Sequence, residues 1–350
     1  MKLKEFKRNL NSRGIDAAAL FNISFTTSDP SIKYFTGSSC EHATLIIPKS
    51  KRDTLYLPPM ELAGAKTSIN AKPLTKEFHE LFKGIKTKNL GVNRKKIPEY
   101  YTARIRKETG AKISDVSKSI IELRKKKTQH EMENITNACK ETDRILTEVY
   151  SEMSKKKIRT ESELAGRILY HMSSRGYQPS FPPIVANRKN GGKPHHTPTT
   201  QRIRKGFCYI DFGLWNKGYT SDITRTIYFG KPSKKEKEIY DKVLHAQEEA
   251  ISAVRPGIMA RQVDAAARES LGSLAKHFLH GLGHGIGVEV HERPYLNEKS
   301  LEIIENGQAF TIEPGIYTKR YGIRIEDDIL VHSRAKILTK APKELLCFPI

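Results

Sequence analysis

The chain has 350 residues, 37% of them hydrophobic and 29% charged, and its 61 Lys and Arg against 39 Asp and Glu give a net charge of +22. That length suggests about two domains, and no apolar run approaches the roughly 18 residues that a membrane-spanning helix needs. Four widely scattered cysteines, Cys40, Cys139, Cys208 and Cys347, make neither a CxxC pair nor a zinc spacing, which excludes a zinc-finger framework and fits reduced, structural thiols.

Residues 2 to 14 read as a helix with Leu3, Phe6 and Leu10 on one face, ended by Gly14. The stretch Met1 to Gly14 is basic and amphipathic without the apolar centre of a signal peptide, so a cytoplasmic protein is expected. Ala17 to Ile23 reads as a strand. Thr44 to Pro48 and Thr54 to Leu57 read as a hairpin turning through Ser50 to Asp53, and helix–strand alternation continues from Leu90-Gly91-Val92 to Ile113. These elements predict a small α/β domain over residues 1–123. The first 127 residues hold 27 Lys and Arg against 12 Asp and Glu, so most of the surplus charge lies there. Arg94-Lys95-Lys96 and Arg124-Lys125-Lys126-Lys127 are the patches a nucleic acid would use. No nucleic-acid-binding motif accompanies them and the lysines are spread along helical surfaces, so a solvated basic surface, without a nucleic-acid partner, is expected.

A second domain is predicted over residues 124–350. Thr128 to Met153 forms a long amphipathic helix with Ile135, Ala138, Thr142, Ile145 and Val149 facing inward. Thr160, with Glu163 three residues on, opens a helix to Arg175 through a capping box. Ser180 to Asn187 reads as a strand leading into a loop that carries His195, and Lys234 to Val254 and Ala260 to Leu274 read as helices separated by Pro256-Gly257.

Five potential metal ligands are threaded through this second part. The alternating, aromatic-rich run around Asp211 and the run from Tyr219 to Phe229 flank the turn Asn216-Lys217-Gly218, which predicts a hairpin with Asp211 opposite Asp222 or one residue off. Ala309 to Glu313 and Ile323 to Val331 predict another, with Glu313 and Glu326 on neighbouring strands. Two facing acidic hairpins would bring four negative charges together, an arrangement that is very costly without cations at its centre. Four carboxylates and the imidazole of His284 make an oxygen-rich set suited to two divalent ions. In Gly281-Leu282-Gly283-His284-Gly285-Ile286-Gly287, alternate glycines permit close backbone approach beside the imidazole. A nucleotide-binding loop is disfavoured because no strand–turn–helix unit surrounds them.

These segments resemble the pita-bread metallopeptidases, the family of prolidase, aminopeptidase P and methionine aminopeptidase, with creatinase as a metal-free relative. His291-Glu292-Arg293-Pro294 resembles the family's His-Glu-x-Pro segment, and Pro194-His195-His196-Thr197-Pro198 its Pro-His-His-x-Pro loop. Tyr34-Phe35-Thr36-Gly37 and the C-terminal Leu338-Thr339 and Lys343-Glu344-Leu345-Leu346 resemble its Xaa-Pro branch, so essentially the whole chain is covered. The resemblance implies an α+β fold: a pita-bread catalytic domain preceded by a smaller α/β creatinase-like domain. It also implies a homodimer, and two divalent ions, manganese or cobalt, with Asp211 chelating one, His284 and Glu313 the other, and Asp222 and Glu326 bridging.

The expected substrate is a peptide with proline at its second position. Proline leaves that bond without an N–H, so peptidases relying on that donor handle it poorly. His195 and His291 are the candidates for holding the oxyanion and delivering a proton to the leaving nitrogen. Phe181 or Tyr317 is expected in the pocket for the proline ring, and His280 near the substrate. Arg324 is expected either to pair with a ligating carboxylate or to meet the substrate, Glu292 to be a buried acid behind the ligands, and His196 to be a surface neighbour of His195. Prolidases commonly carry an arginine just after the His-Glu-x-Pro segment, where this chain has Tyr295. A dipeptidase is placed ahead of an aminopeptidase P on length and on the Gly-His-Gly-Ile-Gly context. Methionine aminopeptidase is third, because that branch lacks the N-terminal domain. A basic binding protein of the same fold is the non-enzymatic alternative, and the retained carboxylates argue against it.

Overall fold

Phe6 and Leu10, four residues apart, are fully buried on one side of the first helix, α1 (Lys2–Ser12). In the computed structural model the described residues are 2–24, 27–74, 81, 87–156 and 158–350, which leaves Met1 of the basic N-terminal stretch outside them. The chain divides into two units, Met1–Arg124 and Lys125–Ile350.

In the first unit α1 is followed by β1 (Ala17–Asn22), α2 (Pro30–Thr36), β2 (Ala43–Pro48), β3 (Thr54–Leu57), α3 (Pro59–Leu62) and β4 (Asn70–Pro73). Then come β5 (Asn89–Val92), α4 (Glu99–Thr109), β6 (Lys112–Asp115) and α5 (Ser117–Lys125). The six strands form one mixed sheet in the order β4-β3-β2-β1-β5-β6, with β2 antiparallel and β5 parallel to β1. Strand β1 is apolar from Ala17 to Phe21 because both faces are covered. Ala18 and Leu20 join Phe6, Leu10 and Ile32 on one side, and Ala17, Ala19 and Phe21 join Leu90, Val92 and Ile105 on the other.

The second unit opens with α6 (Gln129–Ser154) and α7 (Glu161–Ser173), each started by a capping box, Thr128 with Glu131 and Thr160 with Glu163. Strands β7 (Gln178–Pro179), β8 (Ile184–Asn187), β9 (Gly206–Phe212), β10 (Leu214–Asn216), β11 (Tyr219–Thr220) and β12 (Ile223–Phe229) follow. The chain then repeats the theme: helices α8 (Lys234–Ala253) and α9 (Ala260–Leu271), and strands β13 (Gly283–Gly285), β14 (Glu292–Leu296), β15 (Ala309–Ile312), β16 (Gly315–Tyr317), β17 (Gly322–Arg324), β18 (Asp327–Val331), β19 (Ala335–Ile337) and β20 (Cys347–Phe348). The sheet β20-β12-β9-β8 packs under α6 and α7, and the sheet β14-β13-β15-β18-β19 packs under α8 and α9. The unit is thus two helix-pair-on-sheet layers of the same element order, an α+β architecture.

Two sequence expectations change. The strand expected over 180–187 is confined to Ile184–Asn187, because Pro182 and Pro183 cannot donate to a ladder and Phe181-Pro182-Pro183 leaves the sheet. The first hairpin turns at Lys217-Gly218, both at positive φ, with Asn216 paired to Tyr219. Asp211 therefore faces Thr224, two residues from Asp222, and the ladder is interrupted between β11 and β12 where Asp222 lies.

Candidate metal centre

Asp211 leaves the end of β9 and Asp222 the gap before β12. Because Asp222 and Thr224 are two residues apart, both point to the face that Asp211 shares. In the second hairpin Ile312 pairs with Asp327, so Glu313 and Glu326 stand at the next rung, where the regular ladder stops. His284 comes from β13, and a Cβ on Gly283 would lie 2.0 Å from Thr311 O and one on Gly285 2.3 Å from Arg293 O. The glycines flanking His284 therefore let its strand fit between β14 and β15.

The five side chains line one cavity of about 510 Å³. Donor atoms of Asp222, His284 and Glu326 lie within 4.8 Å of one another, and His284 Nε2 is 3.4 Å from Glu313 Oε1 and 3.8 Å from Asp222 Oδ2. His284 Nδ1 is 3.2 Å from the Gly285 carbonyl, which fixes a proton there and leaves Nε2 as a free electron-pair donor. Thr224 Oγ1 donates to Glu326 Oε2 at 2.7 Å, Thr311 Oγ1 to Glu313 Oε1 at 3.3 Å, and the Arg324 guanidinium clasps Asp211 Oδ2.

Electrostatically the arrangement is far from self-sufficient. Burial, and then the neighbouring carboxylates, push Asp222 and Glu326 well above the usual carboxylate range. Burial raises Asp211 despite Arg324, and raises Glu313 to about 8. Burial and the nearby His291 pull His284 down to about 3, so its imidazole is neutral. Asp211 Oδ1 and Asp222 Oδ1 are buried with no hydrogen-bond donor among the described residues. Hard oxygen donors, one neutral imidazole and two orphaned carboxylate oxygens fit divalent cations, since among the described residues lining the cavity Arg324 is the one fixed cation and it engages Asp211.

The remaining expected site residues fall around this centre. His195 and His291 both line the cavity, with the His291 ring 4.2 Å from that of His284. Phe181 and Arg324 line it as well. His280 also lines the cavity, and burial together with Arg324 lowers its pKa to about 3. Tyr317 is only 4% exposed and stands behind the wall, its hydroxyl 2.8 Å from His280 Nε2 and 2.7 Å from Arg324 Nη1, so it supports those two side chains. His196 is buried, contrary to the surface position expected of it, because Glu161 draws its Nε2 inward to 3.0 Å. Glu292 is a buried acid, paired with Lys127 at 2.8 Å.

Three residues escaped the sequence reading. Thr224 and Thr311 each sit two positions from a candidate ligand and share its face, a period-two signal that was available. Asp328 accepts the Asp222 backbone N–H at 2.8 Å, and only the tertiary pairing of the two hairpins reveals it.

Residues 133–333 match the model of metallopeptidase family M24, and residues 2–126 match that of the creatinase/prolidase N-terminal domain. The chain belongs to this family, with the pita-bread fold preceded by the creatinase-type domain. An Xaa-Pro dipeptidase of Pyrococcus furiosus is 35% identical over 333 residues, spanning 92% of this chain and 94% of that one. The crystal structure of the prolidase from Pyrococcus horikoshii OT3 superposes with a TM-score of 0.89 at 32% identity, covering 99% of each chain. That of an X-Pro aminopeptidase from Thermotoga maritima MSB8 gives 0.88 at 28% identity, covering 98% of this chain and all of that one.

Proposed function

We propose that the protein is a metal-dependent prolidase that hydrolyses Xaa-Pro dipeptides. The convergence of three buried carboxylates, a partly buried fourth and a neutral imidazole on one cavity, with two carboxylate oxygens lacking donors among the described residues, carries this reading. Asp211, Asp222, His284, Glu313 and Glu326 are the residues that would hold two divalent ions, with manganese or cobalt suggested by resemblance. The chemistry such ions supply is Lewis acidity, which acidifies water and polarises a peptide carbonyl.

The protein's own groups complete the reaction. The imidazoles of His195 and His291, which line the cavity, would donate to the developing oxyanion and pass a proton to the departing proline nitrogen. Phe181, Pro182, Pro183 and Ile184 form an apolar wall suited to the proline ring. Tyr317 holds the His280 ring and the Arg324 guanidinium in place, and Arg324 in turn orients Asp211. A homodimer and a cytoplasmic location belong to the same reading, as does a domain boundary near residue 124.

One observation favours a second reading. Among the described residues lining the cavity, Arg324 is the only Lys or Arg and it is engaged by Asp211, while Tyr295 stands at the edge. A substrate whose carboxylate lies beyond the cavity, a longer Xaa-Pro peptide cut after its first residue, would suit that wall. Protein stripped of metal and reloaded with manganese or cobalt should be offered an Xaa-Pro dipeptide, an Xaa-Pro tripeptide and a Met-Ala tripeptide. Cleavage of the dipeptide alone supports the dipeptidase, release of the first residue from the Xaa-Pro tripeptide replaces it by the aminopeptidase, and cleavage of none overturns both.

A further inference from the structure

A second cavity in the same unit, about 720 Å³, is lined by Arg188, Lys189, Arg202, Arg204, Lys319 and Arg320, with Glu161 as its only carboxylate among the described residues. The six cations come from three separate stretches: the turn after β8, the loop before β9, and the tip of the β16–β17 hairpin. Among the described residues none of the six side chains forms an ion pair or a hydrogen bond. Elsewhere cations have found carboxylates, as in Lys49 with Asp16, Arg167 with Glu152 and Arg268 with Asp264.

The convergence is built into the backbone. A Cβ on Gly192 would lie 2.2 Å from Thr318 O and one on Gly191 2.7 Å from Gly322 N, so only glycines allow the turn bearing Arg188 and Lys189 to press against the hairpin tip bearing Lys319 and Arg320. That tip is tied, with Thr318 Oγ1 accepting from the N–H groups of Arg320 and Tyr321. Arg188 holds a left-handed backbone at φ 54, and a Cβ on Gly206 would lie 2.9 Å from its Cγ. Glu161 does little to neutralise the set. It is buried, and although burial opposes its ionisation, donors from Asn187, Asn190, His196 and Thr199 hold it below its usual range and occupy its oxygens.

The geometry points to a binding site for a small multivalent phosphate anion, an inorganic oligophosphate or a nucleoside triphosphate. Four guanidinium groups supply bidentate donors matched to phosphate oxygens, and like charges gathered without partners favour an anion of several charges. A concave site of this volume suits a small molecule better than an extended polymer.

The test is calorimetric titration of the metal-loaded protein with inorganic tripolyphosphate, ATP and a short single-stranded RNA lacking terminal phosphate. Tripolyphosphate and ATP should each bind at one site per chain. Equal affinities identify the phosphate chain as the ligand and a tighter ATP adds the nucleoside, and both results support the site. The pairs Arg202→Glu with Arg204→Glu and Lys319→Glu with Arg320→Glu should each weaken binding about tenfold or more while peptide hydrolysis and melting temperature stay unchanged. Asp222→Asn, which disrupts the metal centre, should leave phosphate binding intact. Unchanged affinity in both charge-reversed proteins, loss of binding in Asp222→Asn, or tighter binding of the RNA than of tripolyphosphate would each overturn the proposal.

Discussion

Lys127→Met tests how the His291 segment is held. Lys127 Nζ meets Glu292 Oε2 at 2.8 Å, and the two side chains are 1% and 4% exposed. Lys127 directly precedes the capping box of α6, and its N–H donates to Gly307 O at 2.6 Å, so the pair ties the start of α6 to the segment bearing His291. Glu292 Oε1 also accepts the Glu289 N–H at 3.1 Å, and a Cβ on Gly287 would lie 2.6 Å from that oxygen, so the carboxylate is enclosed. Removing the ammonium breaks a buried ion pair from one side, which costs about 3–5 kcal/mol. For a unit of this size that corresponds to a fall in melting temperature of roughly 6–20 °C. The double variant Lys127→Met/Glu292→Gln deletes the charge but keeps an acceptor for Glu289, and should recover most of the loss. Urea unfolding of the four proteins of the cycle measures both numbers. A single-variant loss below about 1 kcal/mol, or a double variant no more stable than Lys127→Met, would refute the view that this pair is buried and mutually dependent.

Three further outcomes follow from the charges. Asp222→Asn should lower turnover by more than about a hundredfold and reduce bound metal, while raising the stability of the stripped protein by relieving the repulsion with Glu326 and Asp211; near-normal turnover would remove Asp222 from the centre. In stripped wild-type protein the cavity carboxylates titrate above their unfolded values, with Glu313 at about 8, so the stability these groups contribute is fully present below pH of about 4 and is lost as pH rises towards 8. Manganese or cobalt should therefore raise the melting temperature more at pH 8 than at pH 5, and equal shifts would count against cation binding by these groups. On α6, Glu152 is held at about 2 chiefly by its hydrogen bonds with Arg167, so it contributes stability above its unfolded value that disappears as pH falls from about 4 towards 2. Glu152→Gln should flatten that part of the acid-unfolding curve, and an unchanged slope would show the cluster to be energetically silent.

The helices and the capping box at Thr160 were legible because their signals are local: a period of 3.6 and a Thr-x-x-Glu pattern. The gathering of the five candidate ligands in one cavity was legible because carboxylates bordered by glycines and β-formers have few structural uses. What could not be read is what depends on chain segments far apart. His196 looked like a surface residue because its partner Glu161 lies 35 positions away. Tyr317 looked like part of a pocket wall because its bonds to His280 and Arg324 require β16 and β17 to be folded together. The six cations around Glu161 are spread from Arg188 to Arg320, and no window of sequence displays them as one set.

The hairpin registers show why pairing at the centre was hardest to foresee. A regular ladder continued past Ile312 and Asp327 would make Glu313 and Glu326 direct cross-strand neighbours, and two ionised carboxylates in that relation are destabilising. The ladder stops instead, helped by Pro314, which has no N–H to donate, and resumes at Gly315 opposite Arg324. In the first hairpin a Cβ on Gly213 would lie 1.8 Å from Ser221 O, so the strand is interrupted beside Asp222 by a close approach that only glycine permits. Both interruptions fall where side-chain repulsion opposes backbone pairing. Propensity therefore fails at the candidate site residues, because there the local optimum of a strand and the demands of four gathered carboxylates differ.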